Sequence, residues 1–304
     1  MATYLERGKC KVSIHDNIVQ LTLQDVNEGQ YQPVIAKAVP FVKWAGGKRR
    51  LLDVIAHNAP RNFTRYIEPF VGGGAIALGL GHRPMLLNDA NAELINAYRI
   101  VRDDRGTLLS LLDEHQSKHS KDYFYQVRGQ ALDALSLVEQ AARFIYLNKT
   151  CFNGLYRVNK DGLFNVPFGR YASITLYDRE RIQEASQVLC YAELFAEDYR
   201  AFLTQQARPG DFIYLDPPYA PVGQYSDFKR YTKEQFREND QYVLAQVYND
   251  LIALGAYPVL SNSYSELTLE LYAVHHIQIV RMNRNINHEG TGRNPIPEIL
   301  VTPR

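Results

Sequence analysis

At 304 residues and 46% apolar side chains, the chain can bury a real core as one large domain or two smaller ones. Lys and Arg total 34 against 33 Asp and Glu, a formal charge of +1, which excludes a globally basic nucleic-acid-coating protein. Any such contact must come from a local basic surface. Cys10, Cys151 and Cys190 are widely spaced with no CxxC pair, which argues for a reducing cytosol and against a disulfide framework or a zinc site.

No apolar run approaches the length of a membrane span, and the N-terminus has no charged-then-apolar signal pattern. In residues 1–39, Lys11-Val12-Ser13-Ile14 and Ile18-Val19-Gln20-Leu21-Thr22-Leu23 read either as two short strands about Asp16-Asn17 or as a surface arm.

Phe41-Val42-Lys43-Trp44-Ala45-Gly46-Gly47-Lys48 then leads into the helical run from Leu51 to Ile55. Two glycines before a helix let backbone amides approach a ligand, and they serve equally in an ordinary helix entry. The GxxxxGK[ST] spacing is absent, so this is not a phosphate-binding P-loop. Tyr66-Ile67-Glu68-Pro69-Phe70-Val71-Gly72-Gly73-Gly74-Ala75 reads as strand, glycine turn and helix, without the GxGxxG spacing of a dinucleotide fold. Met85-Leu86-Leu87-Asn88-Asp89 reads as a second strand ending in an acid. Asp89 suits either the two hydroxyls of a ribose or the N-cap of a helix over Ala92–Val101.

From 92 to 147 the pattern is helical, with apolar groups at 92–95, 108–112 and 141–147 and no evident strand. Composition shifts at Asn148–Tyr171, where Phe152, Tyr156, Phe164, Phe168 and Tyr171 interleave with Lys149, Arg157, Lys160 and Arg170 against Asp161 alone. Asp161-Gly162 is a hairpin turn signal. A basic, aromatic hairpin suits a nucleic-acid groove, and it also suits packing on its own domain. Strands are expected at Val188–Phe195, Ile213–Leu215, Tyr257–Asn262, Val274–Val280 and Glu298–Val301, with a helix over Gln235–Leu254, giving an α/β sheet with covered faces. Arg281 to Pro297 reads as a polar loop joining the last two strands. His275 and His276 are adjacent, so on a strand they face opposite ways, which disfavours a metal role there.

Asp211-Phe212-Ile213-Tyr214-Leu215-Asp216-Pro217-Pro218-Tyr219 reads as a buried strand running into an acidic, proline-stiffened corner. It offers a carboxylate (Asp216), a carbonyl without a ladder role (Pro217) and a flat ring (Tyr219). That set suits an exocyclic amine on a planar base: two hydrogens meet two acceptors, and the base meets a ring.

Taken together, Phe-x-Lys-Trp-Ala-Gly-Gly-Lys, Glu-Pro-Phe-Val-Gly-Gly-Gly, Asn-Asp, Asn-Lys-Thr-Cys-Phe-Asn-Gly-Leu-Tyr-Arg, Phe-Asn-Val-Pro-Phe-Gly-Arg-Tyr and Asp-Pro-Pro-Tyr, in this order, resemble the Dam-type DNA adenine-N6 methyltransferases. The resemblance runs from about residue 40 to the C-terminus and leaves 1–39 outside. It implies a Rossmann-like mixed α/β sheet domain that binds S-adenosylmethionine and yields S-adenosylhomocysteine, formed by 40–92 and 176–304, with a helical and β-hairpin target-recognition domain inserted at 93–175. It implies double-stranded DNA as partner, a cytoplasmic location, no metal and no membrane. A cognate restriction endonuclease in the same system is compatible with it, and no direct protein partner is implied.

By position, Trp44, Ala45, Gly46, Lys48, Phe70, Gly72, Asp89, Asp198 and Tyr199 correspond to cofactor-binding residues, and Asp216, Pro217 and Tyr219 to the catalytic corner. The corner would draw the N6 nitrogen of an adenine toward a tetrahedral shape, with that base turned out of the helix and Tyr219 stacked on it. For DNA, Arg157 is the candidate for a guanine edge and Lys43 for another, Phe152 and Leu155 for the space left by the extruded base, and Asn153, Arg170 and Tyr171 for phosphate or positioning contacts. The hairpin's match implies GATC as the site. A cytosine-N4 or RNA amino-methyltransferase, and a cofactor-holding DNA-binding protein without catalysis, are the alternatives.

Overall fold

The computed structural model describes residues 38–171, 174–219, 236–282 and 296–304. The strands expected at 11–14 and 18–23 lie outside the described residues, as does most of the loop expected between Arg281 and Pro297. Among the described residues seven strands form one mixed sheet: β1 (Tyr66–Glu68), β2 (Met85–Asn88), β3 (Ala192–Phe195), β4 (Phe212–Leu215), β5 (Tyr257–Ser263), β6 (His276–Met282) and β7 (Ile296–Thr302). Their order is β3-β2-β1-β4-β5-β7-β6. The first five are mutually parallel, and β7 runs antiparallel to both β5 and β6. The Rossmann-like mixed α/β sheet expected from the sequence is therefore present.

The parallel strands are apolar runs because both faces of the sheet are covered. Side chains alternate between faces with period two. Tyr66, Met85, Leu87, Phe212, Tyr214 and Val259 belong to one core, and Ile67, Leu86, Ile213, Leu215 and Leu260 to the other. α8 (Tyr199–Gln206) and α9 (Glu238–Leu254) cover the second core with Phe202, Leu203, Leu244, Tyr248 and Leu251, and α10 (Glu266–Leu271) follows β5.

The first core is covered by α1 (Leu52–Asn58) and α2 (Ala75–Leu80), and then by the long excursion the chain makes between β2 and β3. That excursion holds α3 (Ala92–Asp103), α4 (Arg105–Lys118), α5 (Lys121–Arg128), α6 (Leu137–Thr150) and α7 (Arg179–Leu189). Ser136 and Glu139 form a capping box that fixes the start of α6. Leu94, Tyr98, Leu112, Phe124, Phe144 and Ile145 join the same continuous core as Tyr66 and Phe212.

Two strands start later than expected, and β6 and β7 extend into the ends of the expected 281–297 loop. Val188 and Leu189 close α7 rather than open β3, because Ile182, Ala185, Val188 and Leu189 recur at helical spacing and are all buried. β6 begins at His276; Val274 is exposed, and His275 lies in the preceding turn with Nε2 2.9 Å from Asn249 Oδ1. Cys151 is a buried free thiol.

Candidate active site

In open parallel sheets ligands bind beyond the carboxyl ends of the strands, where the strand order reverses direction. Here that point lies between β1 and β4, and the chemically distinctive residues gather around it. Asn88, fully buried at the end of β2, holds three loop mouths together. Its Nδ2 donates to the carbonyls of Pro69 (3.0 Å) and Glu197 (3.1 Å), and its Oδ1 accepts from Glu197 N–H (3.0 Å). One residue on, Asp89 Oδ2 accepts from Gly72 N–H (3.0 Å) and Oδ1 from Asn91 N–H (2.9 Å). The N-cap of α3 is Asn91, which accepts from Leu94 N–H, so Asp89 is released from the capping role that the sequence left open. Burial pushes the Asp89 carboxyl up to about 6, against the pull of those two amides.

The glycine turn after β1 needs its glycines. Gly72 and Gly74 have φ of +47° and +70°, a region that costs other residues strain. A Cβ at Gly72 would stand 2.8 Å from the Trp44 ring, and one at Gly74 would stand 2.4 Å from Tyr98 Oη. Trp44 thus lies on the turn, with its ring stacked on Tyr156 at 5.6 Å. Gly46 has φ of +83°, and a Cβ there would meet open space. Ala45 and Gly46 are exposed on this rim.

Across the cleft, Phe70 packs on Tyr199 (4.9 Å between centroids), and Phe236 packs on both. Asp198 is exposed, caps α8 and is paired with Arg200 (2.9 Å). The structure thus puts Tyr199 against Phe70, while the Asp198 carboxylate is engaged in its own helix.

At the end of β4 the acidic corner is wired from four elements. Ser261 Oγ on β5 donates to Asp216 Oδ1 (3.0 Å), and Tyr214 Oη lies 2.8 Å behind Ser261. The Lys48 ammonium, almost fully buried, lies 3.2 Å from the same Oδ1 and 3.3 Å from Glu298 Oε2 on β7. It donates to Tyr219 Oη and sits 4.4 Å from the Tyr219 ring centroid. Tyr219 Oη donates to Glu298 Oε2 (2.9 Å). Both contacts to Asp216 fall on Oδ1. Among the described residues no hydrogen bond reaches Oδ2 or the Pro217 carbonyl, the two acceptors named from the sequence. Burial pushes the Asp216 carboxyl up to about 6; Lys48 and Ser261 oppose that and Glu298 adds to it.

Lys48, expected at the cofactor loop, has its ammonium within this corner. Glu298 and Ser261 were not singled out from the sequence. They lie on strands distant in the chain and carry no local signature.

The expected hairpin is formed. Val158 and Phe164 pair as an antiparallel bridge, Asn159 N–H donates to Leu163 C=O (2.9 Å), and Gly162 turns at φ +83°. Arg157 is held by Asn165, its Nε donating to Oδ1 (2.8 Å) and Nη2 to the backbone carbonyl (3.4 Å). Among the described residues no other hydrogen bond engages the Arg157 guanidinium. Phe152 and Leu155 are exposed, as is Leu163, which the sequence reading passed over. Asn153 and Arg170 have positive φ (55° and 49°) and are exposed. Tyr171 is a brace: its Oη donates to Cys151 C=O (3.0 Å), and Lys43 Nζ lies 4.8 Å from its ring centroid. Asn148, buried and not singled out beforehand, bonds the backbone of Lys43 and also donates to Gly154 C=O (3.3 Å). It ties the loop that carries Trp44 and Lys48 to the turn before the hairpin.

No group of three or more His, Cys, Asp or Glu with metal-holding geometry occurs among the described residues, and no helix there is long and apolar enough to cross a membrane. Residues 44–286 match the family model of the D12 class N6 adenine-specific DNA methyltransferases. The chain is 39% identical to the type II methyltransferase M1.LlaDCHI of Lactococcus lactis subsp. cremoris, over 86% of this chain and 94% of that protein. It is 38% identical to the type II methyltransferase M.MjaIII of Methanocaldococcus jannaschii, over 86% and 98%. It is 36% identical to a DNA adenine methylase of Serratia marcescens, over 87% and 98%. An acidic Asp-Pro-Pro-Tyr corner at the mouth of a mixed sheet, a glycine turn beside it and near-complete coverage by such relatives lead to one conclusion: the chain belongs to the D12 class N6 adenine-specific DNA methyltransferases.

Proposed function

We propose that this chain transfers a methyl group from S-adenosylmethionine to N6 of an adenine turned out of duplex DNA, within GATC. The observation that carries the reading is the Asp216 carboxylate at the end of β4, whose Oδ1 is engaged by Ser261 and Lys48 while no hydrogen bond among the described residues reaches Oδ2 or the Pro217 carbonyl. The N6 lone pair of adenine is delocalised into the ring and is a poor nucleophile. An acceptor for each N6 hydrogen draws that nitrogen toward a tetrahedral shape and aims its lone pair out of the ring plane. Catalysis of this kind is positioning and electrostatics. Asp216 must be ionised to accept, and Tyr219 covers the base.

The donor fits what surrounds the corner. Asp89, half-buried with two amides on its carboxylate, has lone pairs left for the hydroxyls of a ribose. The Phe70–Tyr199 pair offers an aromatic wall for an adenine, and Trp44, Ala45 and Gly46 border open space for the amino-acid end. When bound, S-adenosylmethionine supplies an electrophilic methyl group. In this role Lys48 steadies Asp216 rather than holding the cofactor itself.

Residues 93–175 are the target-recognition part, with Arg157 reading a guanine edge, Lys43 contributing at a second, and Phe152 and Leu155 entering the gap left by the base. GATC is supported by the likeness of the hairpin to Dam-type enzymes. The work is done in the cytoplasm, where the DNA is. Two relatives carry type II names, which favours a place beside a cognate restriction endonuclease.

Incubating a random-sequence duplex pool with methyl-labelled S-adenosylmethionine and mapping the product tests the whole reading. N6-methyladenine within GATC is expected. N4-methylcytosine, or label on RNA alone, would overturn it.

A further inference from the structure

Glu298 has no part in the chemistry described above, yet it lies at the centre of the corner's wiring. It sits on β7, two strands from β4, and one of its oxygens takes two bonds: from Tyr219 Oη at 2.9 Å and from the Lys48 ammonium at 3.3 Å. All three side chains are mostly buried, and Lys48 shares its single charge between Glu298 and Asp216. We propose that Glu298 is a positioning residue for methyl transfer. It fixes the Tyr219 ring by its hydroxyl, and it draws the Lys48 ammonium off Asp216 far enough for that carboxylate to accept a hydrogen from the target amine. This rests on the adenine-N6 reading of the corner.

The physical case begins with charge. A lone buried ammonium beside a lone buried carboxylate forms a tight ion pair in a poorly screened site. Such a pair would hold Asp216 as a structural partner and weaken it as an acceptor. A second carboxylate on Lys48 leaves a triad with one excess negative charge. That excess is what an amine donor needs to meet.

Geometry carries the second half. The Tyr219 ring hangs from a proline-stiffened backbone at one end, and at the other only its hydroxyl can be held. Glu298 and Lys48, themselves an ion pair, both hold it, as acceptor and donor. The antiparallel pairing of β7 with β5 sets Glu298 opposite Ser263, so its side chain is delivered to the corner by the sheet register and not by a loop.

Asp216 is also faced by other groups. Ser261 and Tyr214 are on the β5 and β4 side, and Glu68 and Tyr66 lie deeper on β1. None of these touches Lys48 or Tyr219 Oη through a hydrogen bond, so Glu298 is separable from them by mutation.

The test is single-turnover methylation of a duplex across pH 5–9 for the full-length protein and its Glu298→Gln and Glu298→Asp variants, with thermal melts of each. Glu298→Gln keeps the shape and removes the charge. Its kcat is expected to fall on the order of 10²-fold, its cofactor affinity to stay, and the acidic limb of its rate profile to move to lower pH, because a charge that raises Asp216 is gone. Glu298→Asp keeps the charge and shortens the arm; it should keep the acidic limb of the parent and lose kcat by misplacing Tyr219. An unchanged rate and limb in Glu298→Gln would overturn the proposal, as would equal losses in both variants with no movement of either limb. If Glu298→Gln fails to fold, Glu298→Asp decides: full parental kcat would overturn the proposal, and a kcat loss with an unmoved limb supports it. A parent protein that makes no N6-methyladenine fails the reading beneath the proposal instead, and the two failures cannot be confused.

Discussion

Asn148 and Lys43 are 105 residues apart, and the side chain of one clasps the peptide of the other: Lys43 N–H donates to Asn148 Oδ1 at 2.8 Å, and Asn148 Nδ2 donates to Lys43 C=O at 2.7 Å. The same Nδ2 reaches Gly154 C=O. A buried amide satisfied on both ends orders whatever it joins, because any movement leaves unpaired polar groups. Asn148→Ala should cost about 1–3 kcal/mol for the groups left unsatisfied, read by chemical denaturation. It should also lower the rate on duplex substrate more than cofactor binding, read by single-turnover kinetics with a separate cofactor titration. A variant as stable as its parent would show that water replaces the clasp.

The pH dependence has a fixed sign. Burial raises the Asp216 carboxyl to about 6. The acceptor role needs the ionised form, which is the major species above that value and is lost as pH falls through it. The rate on saturating duplex should therefore be level above pH 7 and drop about tenfold per unit below pH 6. An acidic limb centred near the ordinary aspartate value of about 3.9 would remove Asp216 as the titrating group.

Gly74→Ala tests the turn. The position needs φ of +70°, and the new methyl would meet the Tyr98 hydroxyl, which itself donates to Gly72 C=O at 3.0 Å. The melting curve should reveal a loss on the order of 1–3 kcal/mol, together with weaker cofactor binding, since Gly72 moves with Tyr98. Unaltered stability would mean that Tyr98 swings aside without cost.

Arg157 and Asn165 form a graded pair. Arg157→Ala should lose about 1–3 kcal/mol of discrimination at one base pair, measured as the ratio of kcat/KM on the parent site and on a singly substituted site. Asn165→Ala leaves the guanidinium present but unheld, so its loss should be smaller and at the same base pair. Effects at two different base pairs would separate the residues' roles.

Local features were legible in the sequence. β1, β2, β4 and β5 were found because strands covered on both faces are apolar without interruption, and the hairpin because Asp161-Gly162 admits few other turns. The acidic corner was legible because prolines leave the backbone little choice after Asp216. Partners across the sheet were not. Lys48 was placed with the cofactor loop by its neighbours in the chain, while its ammonium reaches a site built by β4 and β7. Glu298, Ser261 and Asn148 contribute through register and burial, which no window of sequence displays. β3 was begun too early because Val188-Leu189 followed by Tyr191-Ala192 is an apolar run that serves a helix end and a strand start equally well.

The hairpin is held by its own backbone bonds and by Arg157–Asn165, while Phe152, Leu155 and Leu163 remain on the outside, 43%, 41% and 59% exposed. Replacing an exposed side chain usually changes stability by only about 0.5 kcal/mol either way. These three positions can therefore drift at little cost in stability, whereas Asn148, Gly72 and Glu298 each hold partners from distant parts of the chain. Under the proposed reading, a lineage under pressure to address new DNA words would gain new preferences at the hairpin first, with the Asp216 corner inherited unaltered.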